Sequence, residues 1–253
     1  MEKSTLIAAL KEQFAATFND ELIPGILHNF ANPLNGIMGR VKLLSRRHEE
    51  VCRSLATRYP ELVDDLPLEK ITRDIDSIAK EADRFWSLFK DVAQKFTYLS
   101  SEAEESLNLS QLIAQEIRFG DFYLNFKHEV KKELLLDENL PEIKSSPAAY
   151  SLGFFALLMG IGKRLKDSPQ KEISITTSHN DTHIIITVRD NAPPYPPIYG
   201  EILTTKGEIG FSPQDYEEGP LMLALLLFRK MGVFGEVLSV DGKNEITLFV
   251  PYR

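Results

Sequence analysis

The stretch Leu27–Val41, LHNFANPLNGIMGRV, decides how the first half of this chain folds. Apolar residues fall at Ile23, Leu27, Phe30, Leu34, Ile37, Val41 and Leu44, in alternating steps of four and three, the seven-residue repeat of a helix packed along a seam. His28 is one residue off that seam. A helix turns about 100° per residue, so a side chain beside a seam position is expected to project out of the bundle, toward water or a visiting partner. A second series of the same kind runs from Leu68 through Ile71, Ile75, Ile78, Ala82, Phe85, Phe89, Val92 and Phe96 to Leu99. Between the two, RYPELVDDLP, with Pro60 and Pro67, reads as the turn of a helical hairpin. Two long helices sharing one seam bury little by themselves, which predicts a homodimer whose two hairpins make a four-helix bundle.

The whole chain sets limits on this reading. Its 253 residues suffice for one large domain or two ordinary ones, and 43% hydrophobic with 26% charged residues is the balance of a soluble globular protein. With 37 acidic against 29 basic residues the formal charge is -8, so neither nucleic acid nor a membrane surface is expected as a partner. Cys52 is the one cysteine, so no intrachain disulfide can form, which fits a reducing compartment. No apolar run reaches the roughly 18 residues of a membrane span, and the start, MEKSTLIAALKEQF, reads as an amphipathic, charged helix rather than a signal peptide. The expected location is the cytoplasm.

Past Ser100–Ser106, SSEAEES, a polar and acidic stretch suited to a linker, the periodicity changes. Residues 107–119 read as a short helix and 147–166 as a buried one. EISITTS and HIIITVRD read as strands, GPLMLALLLFRKMG as a buried helix, and GEVLSV with EITLFV as a closing strand pair. The expected fold class is therefore α+β: an antiparallel helical hairpin over residues 1–103, then an α/β sandwich over 104–253. The five histidines, His28, His48, His128, His179 and His183, are scattered, and no metal site is expected from them.

In this order of parts the chain resembles the sensor histidine kinases of two-component systems, a dimerisation and phosphoacceptor hairpin followed by an ATP-binding domain of the GHKL type. The resemblance covers roughly residues 20–253. HNFANPL resembles the phosphoacceptor box, in which a histidine precedes an acidic residue and then Thr or Asn, Pro and Leu. It implies that His28 is the phosphoacceptor, Asn32 holds the Thr or Asn place, and Pro33 is the helix-kinking proline. SLNLSQLIAQEI resembles the opening of the ATP-binding domain. VRDNAPP stands for the Asp-x-Gly-x-Gly box, LTTKG for the segment flanking the ATP lid, and EGPLMLALLLFRKMG for the second glycine box and its helix.

The same comparison implies losses. Where the family carries Asn-x-x-x-Asn, its second Asn binding magnesium, this chain has Ala156 and Gly160, which offer no side-chain oxygen. Lys163 puts a positive charge nearby. Asp190 stands at the place of the adenine-reading aspartate, but the glycines after it are replaced by Ala192 and Pro194. Glu218, Pro220 and Met222 replace the glycines of the second box, and Thr204, Thr205 and Lys206 remain as a relic of the lid flank. Asn29 follows the histidine where the family has Glu or Asp as general base, and an amide cannot take a proton.

Three functions are expected from this pattern. The first is a histidine phosphotransfer protein of a phosphorelay, a pseudokinase that takes a phosphoryl group from one receiver aspartate onto His28 and passes it to another. It would use no ATP, and its magnesium would come from the response-regulator receiver domain that is its partner. The second is an active histidine kinase with unusual boxes. The third is a non-catalytic scaffold or phosphatase acting on a response regulator or on a partner histidine kinase, in which Asn32 would position water for dephosphorylation.

Overall fold

A computed structural model describes residues 23–63, 67–101, 103–204, 219–240 and 242–252, with the side chains of residues 24–26, 28, 29, 62 and 63 left aside. The helix expected at the N-terminus and the lid-flank residues Thr205 and Lys206 lie outside the described residues, as does Glu218. The chain divides between Phe96 and Thr97 into two compact units.

The first unit is built on two long helices. α1 (Ile23–Arg58) runs through Pro33 without a break, and a short α2 (Pro60–Val63) leads toward α3 (Leu68–Ser100). Near the turn the helices are pinned to each other by His48, whose Nε2 lies 3.3 Å from the Leu68 carbonyl and 3.0 Å from Thr72 Oγ1. An antiparallel register counted from that pin sets Ser45, Val41, Met38, Leu34 and Ala31 abreast of Ile75, Ala79, Ala82, Trp86 and Phe89. Each of these ten is buried or half-buried, Leu34 and Ile75 most completely.

The single seam expected from the sequence is thus two stripes. Phe30, Ile37, Leu44 and Val51, spaced by sevens on α1, are exposed, Phe30 by 56% and Ile37 by 50%. Ile71, Ile78 and Phe85, spaced by sevens on α3, are exposed likewise. A helix with apolar residues at positions a, d and e presents more than one contact face, and an intrachain partner covers only one of them.

The second unit is a two-layer sandwich. Its strands are β1 (Glu105–Leu107), β2 (Lys131–Leu135), β3 (Ile143–Ser145), β4 (Glu172–His179), β5 (His183–Asp190), β6 (Phe234–Val240) and β7 (Lys243–Pro251). Its helices are α4 (Leu109–Gly120), α5 (Leu124–Glu129), α6 (Pro147–Arg164), α7 (Pro197–Thr204) and α8 (Gly219–Lys230). The main sheet has the order β2-β4-β5-β7-β6, with β2 parallel to β4 and every other pair antiparallel. Alternate residues of β4, β5 and β7, such as Ile184, Ile186 and Val188, point into a core completed by Leu112, Phe154, Leu157, Ile202, Leu225 and Phe228 of the helices.

Local chemistry fixes the helix starts. Asn108 Oδ1 accepts the Gln111 N–H at 3.0 Å, and Ser146 Oγ accepts that of Ala149 at 3.2 Å with Pro147 in the first turn of α6. The segment expected to be a linker, Ser100–Ser106, carries structure at both ends. Ser100 closes α3, and Glu105 and Ser106 enter β1, which pairs antiparallel with β3 because that pairing buries Leu107.

The two stripes predict unequal costs. Leu34→Ala should lower the stability of dilute protein by about 2–5 kcal/mol, as for other fully buried leucines. Ile37→Ala should cost under about 1 kcal/mol there. Urea titrations of both variants check this, and the reverse order would put the intrachain seam on the Ile37 side.

Candidate functional site

The residues singled out by the sequence are divided between the two units, and the first group lies on α1. His28 and Asn29 lie in the early turns of α1, and their side chains are outside the described residues. Asn32, four residues after His28 and therefore on the same helix face, is exposed, as is Pro33. Pro33 has no N–H to give the carbonyl of Asn29 one turn earlier, so the backbone next to position 28 is less tied than elsewhere in α1. Leu34 then buries the opposite direction of the helix.

The second place is the end of β5. Asp190 closes the strand facing inward and is only 5% exposed. A buried carboxylate needs donors, and among the described residues it has three. The Ala192 N–H and the Asn244 amide each donate to Oδ1 at 2.8 Å, and the Tyr195 hydroxyl donates to Oδ2. Asn244 also donates to the Ala192 carbonyl at 2.9 Å, so one side chain of β7 holds both the aspartate and the loop that follows it.

That loop, Asn191–Pro196, is held from two further sides. Ser239 Oγ accepts the Tyr195 N–H at 3.0 Å and donates to Asn244 Oδ1 at 2.7 Å. Arg164, at the end of α6, donates to the carbonyls of Pro193 and Pro194 at 2.7 and 2.8 Å. Its guanidinium lies 4.9 Å from the centre of the Tyr195 ring, and the Tyr199 ring stands 5.7 Å away on another side. Burial, then the Asp190 charge and hydrogen bond, push the Tyr195 phenol well above its ordinary range, against a smaller lowering by Arg164.

The remaining positions are spread or repacked. Lys163 is exposed near the end of α6, and Thr204 turns its hydroxyl back to the Gly200 carbonyl at 2.9 Å. Thr205 and Lys206 lie outside the described residues. Ala156 is packed against the core, and Gly160 is buried against α8. A Cβ on Gly160 would lie 2.6 Å from Leu221 Cβ and 3.0 Å from Leu221 Cα. A metal-binding asparagine at position 160 therefore has no room beside Leu221. Met222 is fully buried in the same helix. Among the described residues no group of three or more His, Cys, Asp or Glu side chains is placed to hold a metal ion.

These described residues do not fit a magnesium–nucleotide complex held as the resemblance implies. The oxygen ligand is absent, its space is taken, and the aspartate is engaged by the chain itself. Sequence reading missed Tyr195, Asn244 and Arg164. Tyr195 carries a weak local signal, a lone aromatic among four prolines in APPYPP. Asn244 carries none, because it reaches Asp190 across the β5–β7 ladder, 54 residues away in sequence.

No family model and no curated protein matches the sequence. Solved structures to which the chain is similar include histidine kinases. The histidine kinase domain of the blue-light activated kinase EL346 from Erythrobacter litoralis is 12% identical over 85% of this chain and 94% of its own, with a TM-score of 0.46. The kinase AdeS of Acinetobacter baumannii is 9% identical over 82% and 96%, with a TM-score of 0.43. The catalytic domain of the kinase ThkA is 13% identical over 59% and 95%, with a TM-score of 0.45. Among the described residues no helix is long and apolar enough to cross a membrane.

The tyrosine sets a pH dependence. A phenol whose pKa is higher folded than unfolded contributes stability that is fully present below about pH 10 and is lost as pH rises through the folded value. Tyr150, raised by burial to about 12, acts in the same direction. Above about pH 10, Tyr195→Phe should therefore lose less stability than the wild type while retaining the share due to Tyr150. Urea titrations across that interval test it, and equal slopes in the two proteins would mean that Tyr195 titrates as an exposed phenol.

Proposed function

We propose that the chain is a histidine phosphotransfer protein of a two-component phosphorelay, with a phosphoacceptor hairpin over residues 1–103 and a pseudokinase domain over 104–253. The observation that carries this reading is the closure of α6 against α8 at Gly160 and Leu221, which leaves the second unit without space for the nucleotide's metal ligand. A histidine box on an intact helix beside such a domain suits a protein that handles phosphoryl groups without ATP. Neither ATP nor a resident metal belongs to this reading.

The chemistry is reversible substitution at phosphorus. The lone pair of the neutral His28 imidazole attacks the phosphorus of a receiver's aspartyl phosphate, the bond from phosphorus to the carboxylate oxygen breaks, and the carboxylate leaves. The phosphoramidate then gives its phosphoryl group to the aspartate of a second receiver by the same displacement. This chain would supply the nucleophile and the docking surface, and magnesium held by the receiver would supply charge neutralisation. A general base is dispensable for this exchange, since an imidazole neutral near pH 7 has no proton to lose from its attacking nitrogen, and Asn29 is no obstacle.

The exposed stripes of α1 and α3 support a homodimer, two hairpins closing a four-helix bundle. The proposed partners are a response-regulator receiver domain and, on the same surface, a partner histidine kinase, in the cytoplasm. A second reading is favoured by the exposure of Asn32 on the His28 face: an amide there suits the positioning of water for receiver dephosphorylation.

Labelled phosphoryl receiver tests the first reading. Acid-labile label should move to the wild-type chain and vanish in His28→Gln, whose unfolding free energy should stay within about 1 kcal/mol of the wild type's. ATP with magnesium should give neither label nor thermal stabilisation, where a ligand at about 100 times its dissociation constant would add about 2.7 kcal/mol. Label on His28→Gln, or none on the wild type from any receiver, overturns the proposal. Release of free phosphate that is lost in Asn32→Ala and kept in His28→Gln selects the second reading.

The dimer has its own test. Ile37→Asp sets a charge in the stripe, costing several kcal/mol at a buried interface. Light scattering should show the wild type at twice the chain mass at micromolar concentration and the variant at the chain mass, with helicity retained. A monomeric wild type removes this architecture.

A further inference from the structure

Asp190 is a buried carboxylate at the end of β5, and its Oδ2 is met by a side chain of the loop that follows it. The phenol of Tyr195 is planar, donates a hydrogen bond to Oδ2, and is flanked by the Arg164 guanidinium and the Tyr199 ring. A carboxylate at the bottom of a slot, a flat ring presenting an N–H or O–H to it, and a cation over the ring's face are the elements that recognise a nitrogen heterocycle. Here the chain supplies the ring. The loop backbone is held at several points: Ser239 takes the Tyr195 N–H, Arg164 holds the carbonyls of Pro193 and Pro194, and Asn244 holds that of Ala192. Pro193, Pro194, Pro196 and Pro197 restrict the backbone on both sides of the tyrosine.

We propose that Tyr195 is an internal ligand, seated where Asp190 would otherwise accept a purine base, and that removing it uncovers a cryptic slot for small planar donors. The inference rests on the reading of this region as a relic nucleotide site. It goes further by giving the reason for the silence, a built-in occupant rather than missing ligands alone. The occupied slot also explains how the domain keeps a buried carboxylate satisfied with no nucleotide bound.

The full chain tests this with p-cresol, which reproduces the lost side chain, and with adenine as the purine probe. Tyr195→Ala should melt on the order of 10 °C below the wild type. Millimolar p-cresol should restore a few degrees, and adenine should do the same through its amino group. The wild type and Tyr195→Phe, whose rings fill the slot, should respond to neither compound. Should Tyr195→Ala not fold alone, recovery of folded protein when it is refolded with p-cresol is the same readout. Amide exchange on the wild type gives an independent measure: the Ala192 and Tyr195 amides should be protected, and adenine should leave that protection unchanged.

A Tyr195→Ala chain that neither compound stabilises overturns the internal-ligand proposal, while leaving the phosphotransfer reading in place so long as the wild type stays blind to ATP. Stabilisation of the wild type by ATP, or increased protection of the 190–197 loop by adenine, overturns both, since the slot would then be open in the native chain.

Discussion

A carboxylate withdrawn from water has to be met by donors, and around Asp190 this requirement organises the middle of the second unit. Its three donors come from separate places in the chain: Ala192 two residues on, Tyr195 in the proline-rich loop, and Asn244 on the neighbouring β7. Each partner is then fastened in turn, Asn244 by Ser239, the loop carbonyls by Arg164. Hydrogen bonds to an ionised oxygen are about twice as strong as those between neutral groups, so the geometry of the loop is set from the aspartate outward. Loss of any one donor would leave a buried lone pair unmet, a larger cost than the bond itself contributes.

Gly160 is the steric counterpart. In the middle of a helix a glycine is unfavourable by roughly 0.5–1 kcal/mol against alanine, so its place in α6 calls for a packing reason. The reason is Leu221, whose backbone and Cβ occupy the space that any side chain at 160 would need. Two helices that approach this closely gain dispersion contacts along their length, and Phe154 with Phe228, 4.9 Å between ring centres, continues the same interface. Glycine at position 160 thus lets α8 settle onto α6.

The heptad spacing made both long helices legible, because a seven-residue repeat survives without knowledge of the partner. It did not separate Leu34 and Val41, turned toward α3, from Phe30 and Ile37, turned away, since both sets obey the same spacing and only the register fixed at His48 distinguishes them. β4, β5 and β7 were legible from apolar alternation. β2, with the sequence KKELL, was not: it is an edge strand exposed along most of its length, and its identity comes from parallel pairing with β4. In the site, Asp190 and Gly160 were visible as motif positions, whereas their occupants, Tyr195 and Leu221, are properties of packing between segments far apart in the chain.

On the phosphotransfer reading, these two features divide the demands between the units. Exchange between an imidazole and an aspartyl phosphate is near balance in energy and needs no nucleotide, so it asks of the protein only an accessible ring and a surface for the receiver. Position 28 shares a face with exposed Asn32, next to a proline that frees one backbone carbonyl, and Leu34 anchors the helix from behind. A kinase must in addition hold a triphosphate and its metal in line with the histidine. On this reading the Tyr195 phenol on Asp190 and the closed contact at Gly160 meet no competing demand, and both stabilise the domain without a bound nucleotide.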